Sequence, residues 1–209
     1  MKLKQSIASV TALLTALILL APMAQAAKLK SQNLTQLINT SESIISGQVE
    51  KVTDGLTDKG IPYTEVSIKI GSAAKGQHAK NSTYTFRQFG LLKPRVMPDG
   101  RQMLAMAPEG FPRWIEGESV VAFMHKSAKQ TGLRTTAGMA HGKFNLVNGN
   151  VLNEFNNYGI FKDVEFAAGL LTHEEQNMMT NPKAISATFF MSVVGRAVSQ
   201  QWIDNGKMK

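Results

Sequence analysis

Hydrophobic and polar residues alternate along two early stretches of the chain. Ile45, Gly47 and Val49 fall on one face, and Ser46, Gln48 and Glu50 on the other. Period-two alternation marks a strand half buried in a sheet, because successive side chains leave a strand on opposite faces. "YTEVSIKI" repeats the pattern, with Val66, Ile68 and Ile70 inward and Glu65, Ser67 and Lys69 outward. Between them "TDGLTDKGIP" supplies the Asp and Gly of a turn, so a hairpin follows. "STYTFRQF" then places Tyr84 and Phe86 on one face, and "SVVAFMH" has the length and β-branching of a fully buried strand. "GLRTTAG" and "GKFNLVNGNVLN" add further strands, the latter folded at Asn148-Gly149, a pair that tolerates the positive backbone angles of a tight hairpin.

Helical spacing appears only at the two ends of this run. Asn33 is placed to cap a short helix with Gln36 at its third position and Leu34, Leu37 and Ile38 on one side, ending near Ser41. Thr172 and Glu175 form a second capping box, and Asn181-Pro182 starts a longer helix, since proline is tolerated in a first turn. On that helix Ala187, Met191, Val194, Val198 and Trp202 make an apolar stripe, with Lys183, Ser192, Arg196 and Ser199 away from it. Six or seven short strands without long intervening helices indicate a mainly β (β+α) protein. The expected architecture is an OB-like antiparallel Greek-key barrel over residues 27–160, with a C-terminal helical segment over 161–209 packed on it.

The first 26 residues change the picture of where this barrel works. Lys2 and Lys4, an apolar run from Val10 to Ala21 and the small-residue site Ala24-Gln25-Ala26 make a secretory signal peptide, cleaved near Ala26. Pro22 ends the apolar run short of the roughly 20 residues of a membrane span, so a periplasmic or secreted protein without a transmembrane anchor is expected. There is no cysteine, which removes disulfides, thiol nucleophiles and lipid-modified cysteine together. The net charge of +8 favours an acidic partner, an anionic envelope polymer or an envelope protein. The secretory address places both ahead of nucleic acid.

Three segments in sequence carry a resemblance: "SESIISGQVEKV", "YTEVSIKIGSAAKG" and "GFPRWIEGESVVAFMHK". They resemble a poorly characterised family of bacterial secreted proteins in which a short helix precedes an I-x-G-x-V strand. In that family a second strand ends in Lys-Gly, and a Pro-Arg-aromatic and a Gly-Glu pair lead into a buried strand. The order of elements over about residues 34 to 147 is similar to the OB-fold barrel of netrin-like modules, including the N-terminal domain of tissue inhibitors of metalloproteinases. The resemblance implies a barrel of five strands with additions. The inhibitors' zinc-chelating N-terminal cysteine has no counterpart here, so their mechanism maps onto no residue of this chain.

Chemistry is sparse. The nucleophile elbow, the dinucleotide fingerprint and the phosphate-binding loop are all missing, and "HEEQN" at His173 lacks the second histidine of a zinc-protease helix. No catalytic residue and no cofactor is assigned. The feature that stands out is the proline-broken insert from Phe89 to Glu118. It offers Lys93, Arg95, Arg101 and Arg113 as charge, Met103 and Met106 as adaptable apolar contacts, and Trp114 as an aromatic surface. A connection this long inside a compact domain is usually functional or disordered. Met97, Met103 and Met106 with His125 and His141 would suit Cu(I) by ligand softness, although adjacent strand residues point to opposite faces. The expected function is a non-enzymatic binding or accessory module. The alternatives are a netrin-like modulator of a secreted metalloprotease and a small envelope hydrolase with its site in residues 90–118.

Overall fold

The computed structural model describes residues 31–97 and 99–209. The expected signal peptide lies outside the described residues. The elements are α1 (Leu34–Thr40), β1 (Ser43–Leu56), β2 (Pro62–Lys75), β3 (Thr83–Phe89), β4 (Arg95–Val96), β5 (Gln102–Met103), β6 (Ser119–Met124), β7 (Lys143–Val147), β8 (Asn150–Asn153), α2 (His173–Thr180), β9 (Ile185–Ser186) and α3 (Ala187–Ser199). Seven strands form one antiparallel sheet in the order β3-β2-β1-β6-β7-β8-β9, and β4 and β5 pair separately. The protein is thus mainly β with helices at both ends, and no helix among the described residues is long and apolar enough to cross a membrane.

The alternation read from the sequence decides how this sheet is used. Ile44 of β1 and Val121 and Phe123 of β6 point to one face, and Ile45, Val49, Val120, Ala122 and Met124 to the other. The first face is covered by α1 and α3, where Leu34, Leu37, Phe190 and Val194 are fully buried. The second face closes over Val66, Ile68, Ile70, Phe86 and Trp114. Both cores therefore share the backbones of β1 and β6.

Register shifts at Ile44/Ile45, Ser46/Gly47 and Val49/Lys51 break the β1–β2 ladder. Such bulges increase local twist and let a 14-residue strand curl. At the second of these, Gly47 lets the Lys69 carbonyl approach so closely that an added Cβ would lie 2.1 Å from its oxygen. The hairpin at Asn148-Gly149 forms as expected, with φ of 50° and 79°.

The hydrogen-bonded sheet is open, with β3 and β9 at its edges. "GLRTTAG" does not form the regular strand expected of it. Its residues make a single bridge, Met124 with Thr136, flanked by hydrogen bonds from His125 N to Thr135 O (2.9 Å) and from Arg134 N to Arg87 O (2.8 Å). Gly132 and Gly138 both have positive φ, which confines the extended part to a few residues.

The C-terminal segment differs from its expectation at one point. Asn181-Pro182 opens a 3-10 turn (Pro182–Ala184), not the long helix; strand β9 follows, and the helix begins only at Ala187. Val151 pairs with Ile185, so the pull of the β8 edge overrides the helical start. Phe190, Val193, Val194 and Ala197 form the buried stripe of α3, while Trp202 is fully buried just beyond the helix end. Arg196, expected on a solvated face, instead bonds the buried Glu175 of α2 at 2.5 Å and Leu170 O at 2.7 Å.

Candidate functional site

The insert between β3 and β6 forms a short β-arm. Arg95 pairs with Met103 and Val96 with Gln102, and Leu91 and Met106 exchange backbone hydrogen bonds of 2.8 and 2.9 Å at its root. Strand alternation then gives the arm two faces. Arg95, Met97 and Met103 are half-buried, whereas Val96, Gln102 and Leu104 are exposed. Val96 is 74% exposed, Leu104 66%, Ile115 61% and Leu92 49%, so several large apolar side chains are exposed within this one insert.

One carboxylate fastens the arm to the sheet. Asp54 Oδ2 accepts from the backbone N–H groups of Leu92 (2.8 Å) and Lys93 (3.0 Å), and Oδ1 accepts from Arg95 Nη2 at 2.5 Å. The same Arg95 nitrogen donates to Asp54 O at 2.7 Å. Burial pushes the Asp54 carboxyl up, but the Arg95 hydrogen bond and the two backbone donors outweigh it. The carboxyl ends below its ordinary value.

Beneath the arm lies a cavity of about 430 Å³, walled by Leu91, Leu92 and Met106 on one side and by Gln88 and Trp114 on the other. Gln88 is buried and holds this wall. It donates to Pro112 O (3.0 Å) and accepts from Trp114 Nε1 (3.3 Å) and Thr135 Oγ1 (3.1 Å). Trp114 stands edge-on to Phe86 at 5.2 Å between ring centroids, so its ring packs the second core rather than facing solvent.

On the far side of Pro112–Ile115 a second cavity of about 270 Å³ contains Lys143, Glu118, Asn145 and Glu154. Lys143 Nζ lies 2.6 Å from Glu118 and 5.2 Å from the Trp114 ring centroid. Burial lowers the Lys143 pKa, opposed by the Glu118 hydrogen bond. This pairing of a buried amine with one carboxylate fixes the end of β6 to β7.

The residues singled out from the sequence divide as follows. Arg95 is committed to Asp54 and Arg101 to Asp99 at 2.6 Å. Lys93 and Arg113 are exposed, and no ion pair among the described residues holds either. Met103 and Met106 lie along the arm, and Trp114 is interior. The copper set is dispersed: Met106 lines a cavity without histidine and His125 another without methionine. His141 is buried and stacked on Phe155 at 4.0 Å; burial lowers its pKa. Among the described residues, no group of three or more His, Cys, Asp or Glu is placed to hold a metal.

Sequence reasoning did not find Asp54 or Gln88. Asp54 was part of a turn signal, and its partner Arg95 is 41 residues away. Gln88 shares the face of Tyr84 and Phe86 by strand alternation, but as a polar residue it is not singled out by that pattern. No family model, curated protein or solved structure matches the chain. What fold and site define is a mainly β protein with a seven-stranded antiparallel sheet and a projecting, anchored β-arm.

Proposed function

We propose that this chain is a non-catalytic binding module of the cell envelope that docks a partner protein through the outer face of its arm. The observation that carries this is the pattern of exposure on the insert. Val96 and Leu104 are exposed large hydrophobics on the outer face of a hairpin whose inner face is pinned by Asp54, and Leu92, Met106 and Ile115 add exposed apolar surface at its root and beside it. A hydrogen-bonded arm with exposed apolar side chains is suited to a protein interface. Of the four cations of the insert, Arg95 and Arg101 are already paired within the chain, which leaves Lys93 and Arg113 as the charges a partner could meet. The envelope address rests on the Lys2/Lys4, Val10–Ala21 and Ala24–Ala26 pattern.

An OB-like barrel is the architecture this proposal adopts. Its support is the strand order β3-β2-β1-β6 together with the Leu133–Ala137 segment, which hydrogen-bonds to β6 on one side and to Arg87 of β3 on the other. That path runs around the second core as a closing strand would.

The test is site-specific photo-crosslinking in the cells that make the protein. A photoreactive residue at Val96 or Leu104 should give one discrete protein adduct, and the same probe at exposed Val147 should not. The Leu104 adduct should disappear when Val96 is changed to Ser. Absence of any adduct from the arm, or the same adduct from all three positions, overturns the proposal.

A further inference from the structure

A further cavity lies apart from the outer face of the arm. It has a volume of about 650 Å³ and is walled by Ile61, Phe89, Phe111 and Leu133, a size within the roughly 300–1,000 Å³ of small-molecule sites. Its chemistry is lopsided. Aromatic and aliphatic side chains supply most of its surface, His125, Ser127, Thr131 and Thr135 are interspersed, and the cationic Lys126 and Lys129 lie along it with no carboxylate among the lining residues.

The basic residues at this cavity are of two kinds. Arg134 is spoken for: its guanidinium donates to Tyr84 Oη at 2.6 Å and to the Ser127 hydroxyl, and it pairs with Glu42 at 3.2 Å. Those bonds hold Arg134 as a fixed part of the wall. Lys126 and Lys129 are exposed, and no ion pair among the described residues includes either. The segment carrying them, Lys126 to Gly132, is a closed loop with hydrogen bonds from Ala128 N to Leu133 O and from Gly132 N to Ala128 O, both 2.8 Å. The hydrogen-bonded loop backbone therefore keeps both lysine residues at the cavity, with their side chains exposed.

Each class of occupant can be weighed against this lining. A sugar or nucleotide could use Ser127, Thr131 and Thr135 on one side but would press its remaining hydroxyls and amides against Ile61, Phe89, Phe111 and Leu133, which is costly. A neutral hydrocarbon would fill the cavity but make no use of the two cations. A molecule with an alkyl body and an anionic head satisfies both, its body against Phe89, Phe111 and Leu133 and its head beside Lys126 and Lys129.

We propose that this cavity binds a single-chain anionic amphiphile of the fatty-carboxylate type. The site is separate from the protein-docking face on Val96 and Leu104 and does not depend on it. Long-chain carboxylates are products of acyl-ester hydrolysis, so a reaction of that class would supply the ligand.

The test is calorimetric titration of the mature chain with dodecanoate, dodecanol and dodecyltrimethylammonium, each below its micelle-forming or solubility limit. Dodecanoate should bind one to one and about tenfold more tightly than dodecanol, the effect of two partly exposed ion pairs. The trimethylammonium compound should bind more weakly than dodecanol. The double variant Lys126→Ala/Lys129→Ala changes only exposed side chains. It should lose that tenfold preference while its dodecanol affinity stays unchanged. Absence of saturable binding, dodecanoate binding no tighter than dodecanol, or an undiminished preference in the double variant overturns the proposal.

Discussion

Replacing Asp54 by alanine should release the arm while leaving the sheet intact. The side chain is 8% exposed, and its carboxylate receives three hydrogen bonds, from Leu92 N, Lys93 N and Arg95 Nη2. A hydrogen bond to a charged group contributes about 1.5–3 kcal/mol. The full sum does not apply here, because Arg95 is 40% exposed and water can replace the carboxylate at both amides. A net loss of about 2 kcal/mol is the reasonable scale, or roughly a 30-fold rise in the fraction of open arm.

Native-state hydrogen exchange reads this directly. The amides of Leu91, Met97 and Met106, which are bonded within the arm and its root, should exchange about 30-fold faster in Asp54→Ala. Those of Val121 and Phe123 in β6 should not change. The pH dependence has a definite sign. The carboxyl lies below its ordinary value of 3.8 in the folded chain, so its contribution is complete above that value and lost as pH falls through the lowered one. Arm protection in the wild type should therefore decline in acid, and Asp54→Ala should lack that decline. Unchanged exchange at the arm, or equal acceleration in arm and β6, would refute the anchoring argument.

Two further predictions concern the scaffold. Gly47→Ala would drive a methyl group against the Lys69 carbonyl, 2.1 Å from the ideal Cβ position. It should destabilise the chain by about 2–4 kcal/mol in urea unfolding, whereas Gly195→Ala, which meets nothing within 4 Å, should not. His141 is buried and its pKa lies below 6.5 through burial. Its effect on stability is neutral above that value and unfavourable as pH drops below it, because the unfolded chain takes up the proton first. His141→Phe should therefore flatten the weakly acidic limb of the thermal stability profile, and an identical limb in both proteins would count against this.

How much of the fold the sequence discloses depends on the range of the forces involved. The capping boxes Asn33/Gln36 and Thr172/Glu175 appear as read, because a cap is decided within four residues. The alternation in β2 also holds, since Val66, Ile68 and Ile70 are buried on one face, while in β1 the bulges interrupt it and Ile45 and Val49 still reach the same core. The long helix from Pro182 was misread because Ile185 gains more by pairing with Val151 than by continuing a turn. That partner lies 34 residues back, beyond any local pattern. The insert was legible as a place but not as a structure. Its apolar face appears only once Arg95 and Met103 are paired, and Arg95 was chosen as a binding cation when its charge is spent on Asp54.

The sharing of β6 between two cores has a consequence for how this chain can come apart. Val121 and Phe123 belong to one hydrophobic cluster, and Val120, Ala122 and Met124 to the other. No cut through the sheet separates them, since each peptide unit of β6 carries side chains of both. Melting either cluster frees the strand that the other needs, so partial melting of one layer gains little entropy and forfeits two interiors. The sheet and its two layers should then melt in one cooperative transition, with the arm as the local unit that opens independently of it.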